Sequence, residues 1–310
     1  MRKAIRVAAW TMVAAGIAAP LLRKRAPAPP LVTQAVAFGA PLGLAVALPR
    51  SRRRDLAICA LQMWAYVAAY KTPHDDEAEQ EGRVHIDYPI AIDRALGLGE
   101  LPSRRLQRWL SRSDRDGPRW HTLDRVLAWA HWSWFMVPHG AVLYVMWRRP
   151  ERFARAATLT YAVFDTGSVF YWVAPTAPPW YAASRRAGAS GVRRMMVEYG
   201  EDFWGEGWDS LYSVFGGNPL AAMPSLHFAT SLMATWLLAD VDPLAGAAAG
   251  AYTATLGLSL VYLGEHYVID LIAGAALAAA VRRSEPRLAQ TVAGIGRAVA
   301  NVGRYAHGAG

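Results

Sequence analysis

The sequence contains a single cysteine, Cys59, among its 310 residues. One cysteine excludes an intrachain disulfide and any cysteine-rich metal site, and its position in an apolar run predicts a packed core residue. Charged residues are also scarce, at 18%, whereas hydrophobic residues make up 54%. The chain is therefore too apolar for an ordinary soluble domain.

We also expect no cleavable secretory signal at the start of the sequence. Residues 1–3 read Met-Arg-Lys and lead into an apolar run, as a signal peptide does. However, residues 18–20 (Ala-Ala-Pro) are a poor cleavage site, and the basic residues 23–25 follow directly. We expect an uncleaved first segment.

Apolar runs that span or nearly span a bilayer recur along the chain and predict an all-α, polytopic transmembrane helical bundle. The predicted spans lie at about residues 5–22, 31–49, 55–70, 122–147, 157–175, 226–240, 244–264 and 267–281. We divide the chain into an N-terminal transmembrane hairpin (1–54), a transmembrane helix plus an extracytoplasmic amphipathic segment (55–121), a catalytic membrane core (122–285) and a cytoplasmic tail (286–310).

The net charge of +9 is a topology signal rather than a nucleic-acid signal, because the arginines cluster at the ends of apolar runs. The clusters at 52–54, 148–149 and 282–283 predict cytoplasmic loops. The polar segments 71–121 and 176–223 then face the other side of the membrane. Residues 23–25 do not fit this orientation, so the topology of the first hairpin stays open.

The first polar segment ends in a stretch typical of an amphipathic helix that lies on the membrane surface. Arg104, Arg105 and Arg108 supply its basic face, and Trp109 supplies an interfacial aromatic ring.

Two histidines, His227 and His266, lie at the rims of apolar stretches, and Asp270 follows His266 by four residues. If both stretches are helices, Asp270 lies beside His266 on one face and can orient its ring. A short turn at residues 240–243 makes the two flanking helices antiparallel neighbours, so both rings reach the same extracytoplasmic depth. This arrangement predicts a two-histidine site for nucleophilic attack and proton transfer.

Residues 224–227 (Pro-Ser-Leu-His) and 266–270 (His-Tyr-Val-Ile-Asp) resemble the second and third signature motifs of the type 2 phosphatidic acid phosphatase superfamily. The resemblance covers about residues 120–285 and implies a six-helix phosphatase-type core with extra N-terminal helices. It also implies a metal-independent, cofactor-free reaction with a phosphohistidine intermediate. In that reaction His266 is the nucleophile, Asp270 orients it, and His227 is the general acid.

Two departures from the family pattern indicate which branch of the superfamily the chain resembles. Leu260 stands where the third motif usually has arginine, and residues 175–180 (Pro-Thr-Ala-Pro-Pro-Trp) take the place of the first motif. The chain is closer to the branch that contains the fungal inositol phosphorylceramide synthases, the targets of aureobasidin, and their bacterial relatives.

That branch implies transfer of a phosphorylated headgroup from a phospholipid to an alcohol acceptor, either a lipid or a polyol. We expect membrane lipids and no nucleic acid as partners, in a bacterial plasma membrane. The oligomeric state stays open.

A phosphoryl-transfer site needs positive charge on the equatorial oxygens. Arg193 and Arg194 are the favoured phosphate ligands, since they precede His227 in the same loop. Ser225 can donate to phosphate or simply cap the His227 helix, and the loop around Trp180 is expected to admit an alcohol and restrain water. The other basic candidates in the same compartment are Arg185, Arg186, Lys71 and Arg94.

His131 and His139 lie among tryptophans within a predicted span. Ionisable residues inside a membrane are functional candidates, but the tryptophans favour an interfacial or helix-contact role for His131.

Three rival classes fit the sequence less well. A metal hydrolase using His227, His266 and Asp270 as ligands lacks an added carboxylate cluster. A serine hydrolase lacks a Gly-x-Ser-x-Gly elbow around Ser225. A transporter or lipid scramblase does not require two histidines in register. Within the enzyme class, water and alcohol acceptors both remain open.

Overall fold

The protein is described by a computed structural model that covers residues 1–25, 28–111, 120–215 and 217–307. Within these ranges no β-strand forms, and the only extended pairings are single bridges of Thr176 to His85 and to Ala221. Sixteen α-helices occur in the same ranges: α1 (Arg2–Leu22), α2 (Pro30–Ala47), α3 (Arg52–Lys71), α4 (Glu77–Arg83), α5 (Asp87–Leu96), α6 (Pro102–Leu110), α7 (Thr122–Trp132), α8 (Met136–Arg148), α9 (Phe153–Val173), α10 (Pro179–Ala183), α11 (Met195–Trp204), α12 (Gly207–Phe215), α13 (Leu226–Ala239), α14 (Pro243–Tyr262), α15 (Val268–Arg283) and α16 (Glu285–His307). The all-α prediction is confirmed.

One compact unit comprises residues 1–75 and 284–310. Its helices α1 and α2 pack closely, because a Cβ at Gly43 would lie 2.8 Å from the Ala9 carbonyl oxygen. Small residues allow such close approach between membrane helices. Helix α16 packs against both α1 and α2. Residues 308–310 of the predicted tail, and residues 112–119 of the predicted surface segment, lie outside the described residues.

The other unit comprises residues 76–283, and its centre is α13. This helix packs against α8, α9, α14 and α15, while α7 packs against α14. These six helices form the helical core expected from the sequence. Asp242 caps α14 by accepting from the backbone N–H groups of Leu244 and Ala245, which ends the tight turn between α13 and α14.

The predicted span at 122–147 consists of two helices rather than one. Residues 133–135 form a tight turn in which the Trp134 N–H donates to the His131 carbonyl and the Met136 N–H to that of Ser133. The interruption lets the Trp134 indole N–H reach the Thr230 hydroxyl on α13, at 2.9 Å.

In the described part of the chain, three helices are long and apolar enough to cross a membrane: α1, α2 and α14. Helix α13 is apolar but has 14 residues, a length of about 21 Å against a hydrocarbon core of about 30 Å. Several predicted spans are therefore shorter than a full crossing.

Helix α6 covers the stretch that was predicted to be amphipathic. Trp109 is 65% exposed, whereas Ser103 and Gln107 on the opposite face are buried. Its location at the membrane surface stays a prediction.

Candidate active site

Ser225 fixes the start of the helix that carries the first histidine. Its side chain is fully buried, and its Oγ accepts from the Phe228 backbone N–H at 3.4 Å, which makes it the N-cap of α13. His227 is the second residue of that helix. Capping is one of the two roles predicted for Ser225, and a contact with phosphate stays a prediction.

His266 lies in a loop, not in a helix as the i,i+4 argument assumed. Helix α14 ends at Tyr262, and the backbone N–H groups of Glu265 and His266 both donate to the Leu260 carbonyl. Gly264 makes the turn possible with a φ of +81°, a region that glycine enters without strain. The loop thus carries His266 back across the end of α14.

Asp270 nevertheless meets His266, as predicted. Its Oδ2 lies 3.2 Å from His266 Nδ1 and also accepts the Tyr267 backbone N–H at 2.9 Å. Asp270 is fully buried in the first turn of α15. The contact therefore arises because the loop folds over the start of α15, and a shared helical face is not needed.

The two histidines are in direct contact, which confirms that the two motifs meet. His227 Nδ1 lies 3.2 Å from His266 Nε2. One pair of tautomers satisfies both bonds: the His266 Nδ1–H donates to Asp270, and the His227 Nδ1–H donates to His266 Nε2. His266 then keeps a lone pair on Nε2, and His227 holds a proton on the nitrogen that faces it.

Two aromatic rings hold the His227 imidazole. The Trp134 ring centroid is 4.1 Å away, and the His131 ring stacks on His227 at 5.0 Å with an interplanar angle of 27°. His131 Nδ1 is buried without a hydrogen-bond partner among the described residues. The stack is a contact between helices, which is one of the two roles favoured for His131, and it places the ring beside the histidine pair.

Arg194 and Trp180, both predicted substrate ligands, lie together next to His266. The Arg194 guanidinium carbon is 3.8 Å from the Trp180 ring centroid, and its Nε donates to Glu265 Oε1 at 3.1 Å. The Trp180 backbone N–H donates to the carbonyl of Gly264. Glu265 directly precedes His266, so this ion pair borders the histidine pair.

Arg193 has a different environment from Arg194. Its guanidinium pairs with Glu198, and its backbone N–H donates to the side-chain oxygen of Gln107. Its role as a phosphate ligand stays a prediction, with Arg194 the better placed of the two. Among the other basic candidates, Arg185 pairs with Glu81, Arg186 pairs with Asp87, and Arg94 donates to the Gly99 carbonyl.

Leu260 is fully buried. The position where the related motif has arginine thus lies in the apolar core, and phosphate charge must be met by other residues.

A family model described as the PAP2 superfamily matches residues 90–282, more than half of the chain and all three of His227, His266 and Asp270. The chain belongs to the PAP2 superfamily. With its apolar helices, this member of the superfamily is an integral membrane protein.

Two curated proteins are similar to the chain. The inositol phosphorylceramide synthase catalytic subunit aur1 of Schizosaccharomyces pombe is 26% identical over 173 residues, which cover 51% of this chain and 39% of the relative. The inositol phosphorylceramide synthase of Candida albicans is 31% identical over 116 residues, which cover 34% of this chain and 24% of the relative. The matched region is thus less than half of either relative. Both are fungal, so the bacterial origin stays a prediction. No solved structure matches the chain significantly.

Sequence reasoning missed Asp93, which reaches from α5 to the start of α15. Its fully buried carboxylate accepts from the backbone N–H groups of Val268 at 3.0 Å and Ile269 at 2.9 Å. Burial raises the pKa of Asp93 to about 6, the two N–H groups oppose that rise, and the charge of Asp270 adds to it. No sequence signal links Asp93 to a helix 175 residues later.

No group of three or more His, Cys, Asp or Glu side chains in the described ranges has an arrangement that could hold a metal ion. Metal independence remains a proposal to be tested.

Proposed function

We propose that the protein is a lipid phosphotransferase that moves a phosphorylated headgroup from a phospholipid to an alcohol through a phosphohistidine. The observation that carries the proposal is the continuous hydrogen-bonded line from Asp270 through His266 to His227. Membership of the PAP2 superfamily and similarity to inositol phosphorylceramide synthases support the same chemistry.

In the first half-reaction, the His266 Nε2 lone pair attacks phosphorus while the bond from phosphorus to the lipid alcohol breaks. His227 enters this step as the imidazolium and gives its Nδ1 proton to the departing oxygen, so the lipid alcohol leaves neutral and His227 becomes a neutral imidazole. The Asp270 carboxylate stabilises the positive charge that develops on the His266 ring. The hydrogen bond between the two histidines must open for this step, because the phosphoryl group has to bind against Nε2.

In the second half-reaction, His227 takes the proton from the acceptor hydroxyl. The acceptor oxygen bonds to phosphorus, and the bond between phosphorus and Nε2 breaks. His227 is again the imidazolium and His266 again has a free lone pair on Nε2, so the cycle needs no further proton source.

The equatorial phosphoryl oxygens need donors throughout this cycle. Arg194 is the leading candidate, because its guanidinium lies between Trp180 and the residue that precedes His266. The Ser225 hydroxyl and Arg193 are further proposed ligands. Stacking on Trp180 holds the Arg194 side chain in place, and the surrounding loop is proposed to restrain water.

The acceptor distinguishes a transferase from a phosphatase. Purified protein in mixed micelles should convert a headgroup-labelled phospholipid and an added lipid or polyol alcohol into a new phosphodiester, with and without a chelator. The His266→Ala variant serves as the blank. Release of only free phosphate or phosphoalcohol, whatever the acceptor, would identify a lipid or polyprenyl phosphate phosphatase, and loss of activity with the chelator would contradict metal independence.

The proposed substrate pool is the outer leaflet, since the arginine distribution predicts an extracytoplasmic site. A protein that moves lipid without chemistry is the remaining alternative. It would bind the labelled phospholipid but form neither a product nor an acid-labile phosphoenzyme.

A further inference from the structure

Asp93 lies at the N-terminus of α15 but belongs to α5, far away in the sequence. The first N–H groups of a helix have no partners within the helix and are usually satisfied by the side chain of the residue just before it. In α15 that residue is Tyr267, whose side chain is fully buried. Its hydroxyl lies at the end of the ring away from the backbone and does not take the capping role. The Asp93 carboxylate takes over the capping role for Val268 and Ile269.

The two carboxylates divide the capping of α15 between them. A carboxylate at the third position of a helix ordinarily turns back to accept the N–H of the residue just before the helix, and Asp270 does so with Tyr267. Asp93 accepts the next two N–H groups, so the start of the helix is held while Asp270 Oδ2 also contacts His266. Its second oxygen, Oδ1, has no partner among the described residues.

The same helix start also supports the other histidine. The Ser225 N–H donates to the Asp270 carbonyl at 3.0 Å, and a Cβ at Gly274 would lie 2.5 Å from the Ser225 carbonyl oxygen. Displacement of the N-terminus of α15 would therefore move Ser225, the cap of α13, which lies two residues before His227.

We propose that Asp93 is a positioning residue for phosphoryl transfer, which caps α15 so that Asp270 can orient His266. This inference rests on the proposed function. Asp270 is the titratable group whose charge acts on Asp93. Asp93 is not expected to touch the substrate.

The test compares Asp93→Asn with Asp242→Asn as a matched control. Asp242 also caps a helix with two backbone N–H groups, but at the start of α14, about 30 Å of helix away from the histidines. An amide keeps one acceptor oxygen, so Asp93→Asn leaves one N–H without its partner while altering the shape of the side chain little. Both variants are measured for thermal unfolding in detergent, and for kcat and KM with the labelled phospholipid.

Asp93→Asn should lower kcat by about 10- to 100-fold and change KM by less than about twofold. Asp242→Asn should lose a comparable amount of stability but retain the wild-type kcat. A protonated carboxyl resembles an amide, so the ratio of the wild-type kcat to the Asp93→Asn kcat should fall towards one as the pH drops through about 6. A merely structural role would leave that ratio independent of pH. Equal kcat values for wild type and Asp93→Asn above pH 6 would overturn the inference.

Hydrogen exchange separates this inference from the proposed function, because it needs no substrate. Peptides that cover residues 264–272 should lose protection in Asp93→Asn and keep it in Asp242→Asn. Unchanged protection in Asp93→Asn would refute the capping role. If Asp93→Asn loses protection but the wild-type protein turns over no phospholipid, the proposed function is refuted and the capping role still holds.

Discussion

At the scale of single residues, the two histidines have different expected roles, and substitution separates them. His266→Ala should abolish turnover and the acid-labile phosphoenzyme, because no nucleophile remains. His227→Ala should still form a phosphoenzyme from a donor with a good leaving group, since such a donor needs no protonation. Asp270→Asn should lower kcat by about two to four orders of magnitude, as in other His–carboxylate pairs. Rapid-quench trapping of the phosphoenzyme measures all three, and near-wild-type activity in His266→Ala would contradict the mechanism.

His131 offers a second residue-scale prediction, because its ring holds that of His227. His131→Ala should lower kcat with a natural phospholipid by about 10- to 100-fold, since a general acid held less firmly spends less time in the reactive geometry. The loss should shrink with a donor whose leaving group needs no proton. Steady-state kinetics with both donors measures the difference.

His139→Ala is the matched control. His139 Nδ1 is hydrogen-bonded to the Phe135 carbonyl at 2.7 Å, and its ring stacks on Phe135 rather than on His227. Equal losses with the two donors, or an equal loss in His139→Ala, would show that His131 does not act through proton transfer.

At the scale of structural elements, the loop between α14 and α15 is where sequence reasoning stops short. The residues of the motif predicted contact between His266 and Asp270, and that contact is present at 3.2 Å. The assumed reason, a common helical face, was wrong because Gly264 turns the chain before His266. Short-range patterns identify apolar runs and motif residues well, but they do not show where a run ends in a left-handed turn.

Contacts between distant segments were equally beyond the sequence. The cap that Asp93 provides for α15, and the stack of His131 on His227, both join residues from separate helices. Considered within their own segments, the side chains of Asp93 and His131 are each compatible with an ordinary structural role. Only the packing of α5 and α7 against the core reveals the partners.

Gly264 provides a prediction for this loop. A Cβ at position 264 would lie 2.4 Å from the Arg193 carbonyl oxygen, at a φ that side chains rarely adopt. Gly264→Ala should therefore destabilise the protein by about 1–3 kcal/mol and displace His266, with loss of kcat. Thermal unfolding and kinetics in detergent measure both effects.

Gly250→Ala, in α14, is the matched control. Its added Cβ would lie 3.5 Å from the Thr235 side chain, an ordinary van der Waals distance. Alanine is the better helix former by about 0.5–1 kcal/mol, so this variant should be as stable as wild type or more so. A Gly264→Ala protein that matches Gly250→Ala in both stability and kcat would show that the turn does not depend on glycine.

At the scale of the whole molecule, composition predicted a helical membrane protein, and both the helices and the PAP2 match confirm it. The spans predicted at 226–240 and 267–281 have 15 residues each, and the corresponding helices α13 and α15 have 14 and 16. Short helices suffice in the centre of a bundle where neighbouring helices, rather than lipid, surround them. Hydropathy therefore identifies the bundle and these two helices, whereas it missed the break between α7 and α8.

Orientation in the membrane is the remaining whole-molecule prediction. The arginine clusters predict that the loop before His227 lies outside the cytoplasm and that the tail after residue 283 lies inside it. In a Cys59→Ser background, cysteine at Ser190 should react with an impermeant thiol reagent in intact cells, whereas cysteine at Gly296 should react only after permeabilisation. Both positions are exposed, and a Cβ at Gly296 meets no other atom within 4 Å, so access to the reagent depends on sidedness. Labelling at 296 but not at 190 in intact cells would reverse the orientation, and the donor phospholipid would then come from the cytoplasmic leaflet.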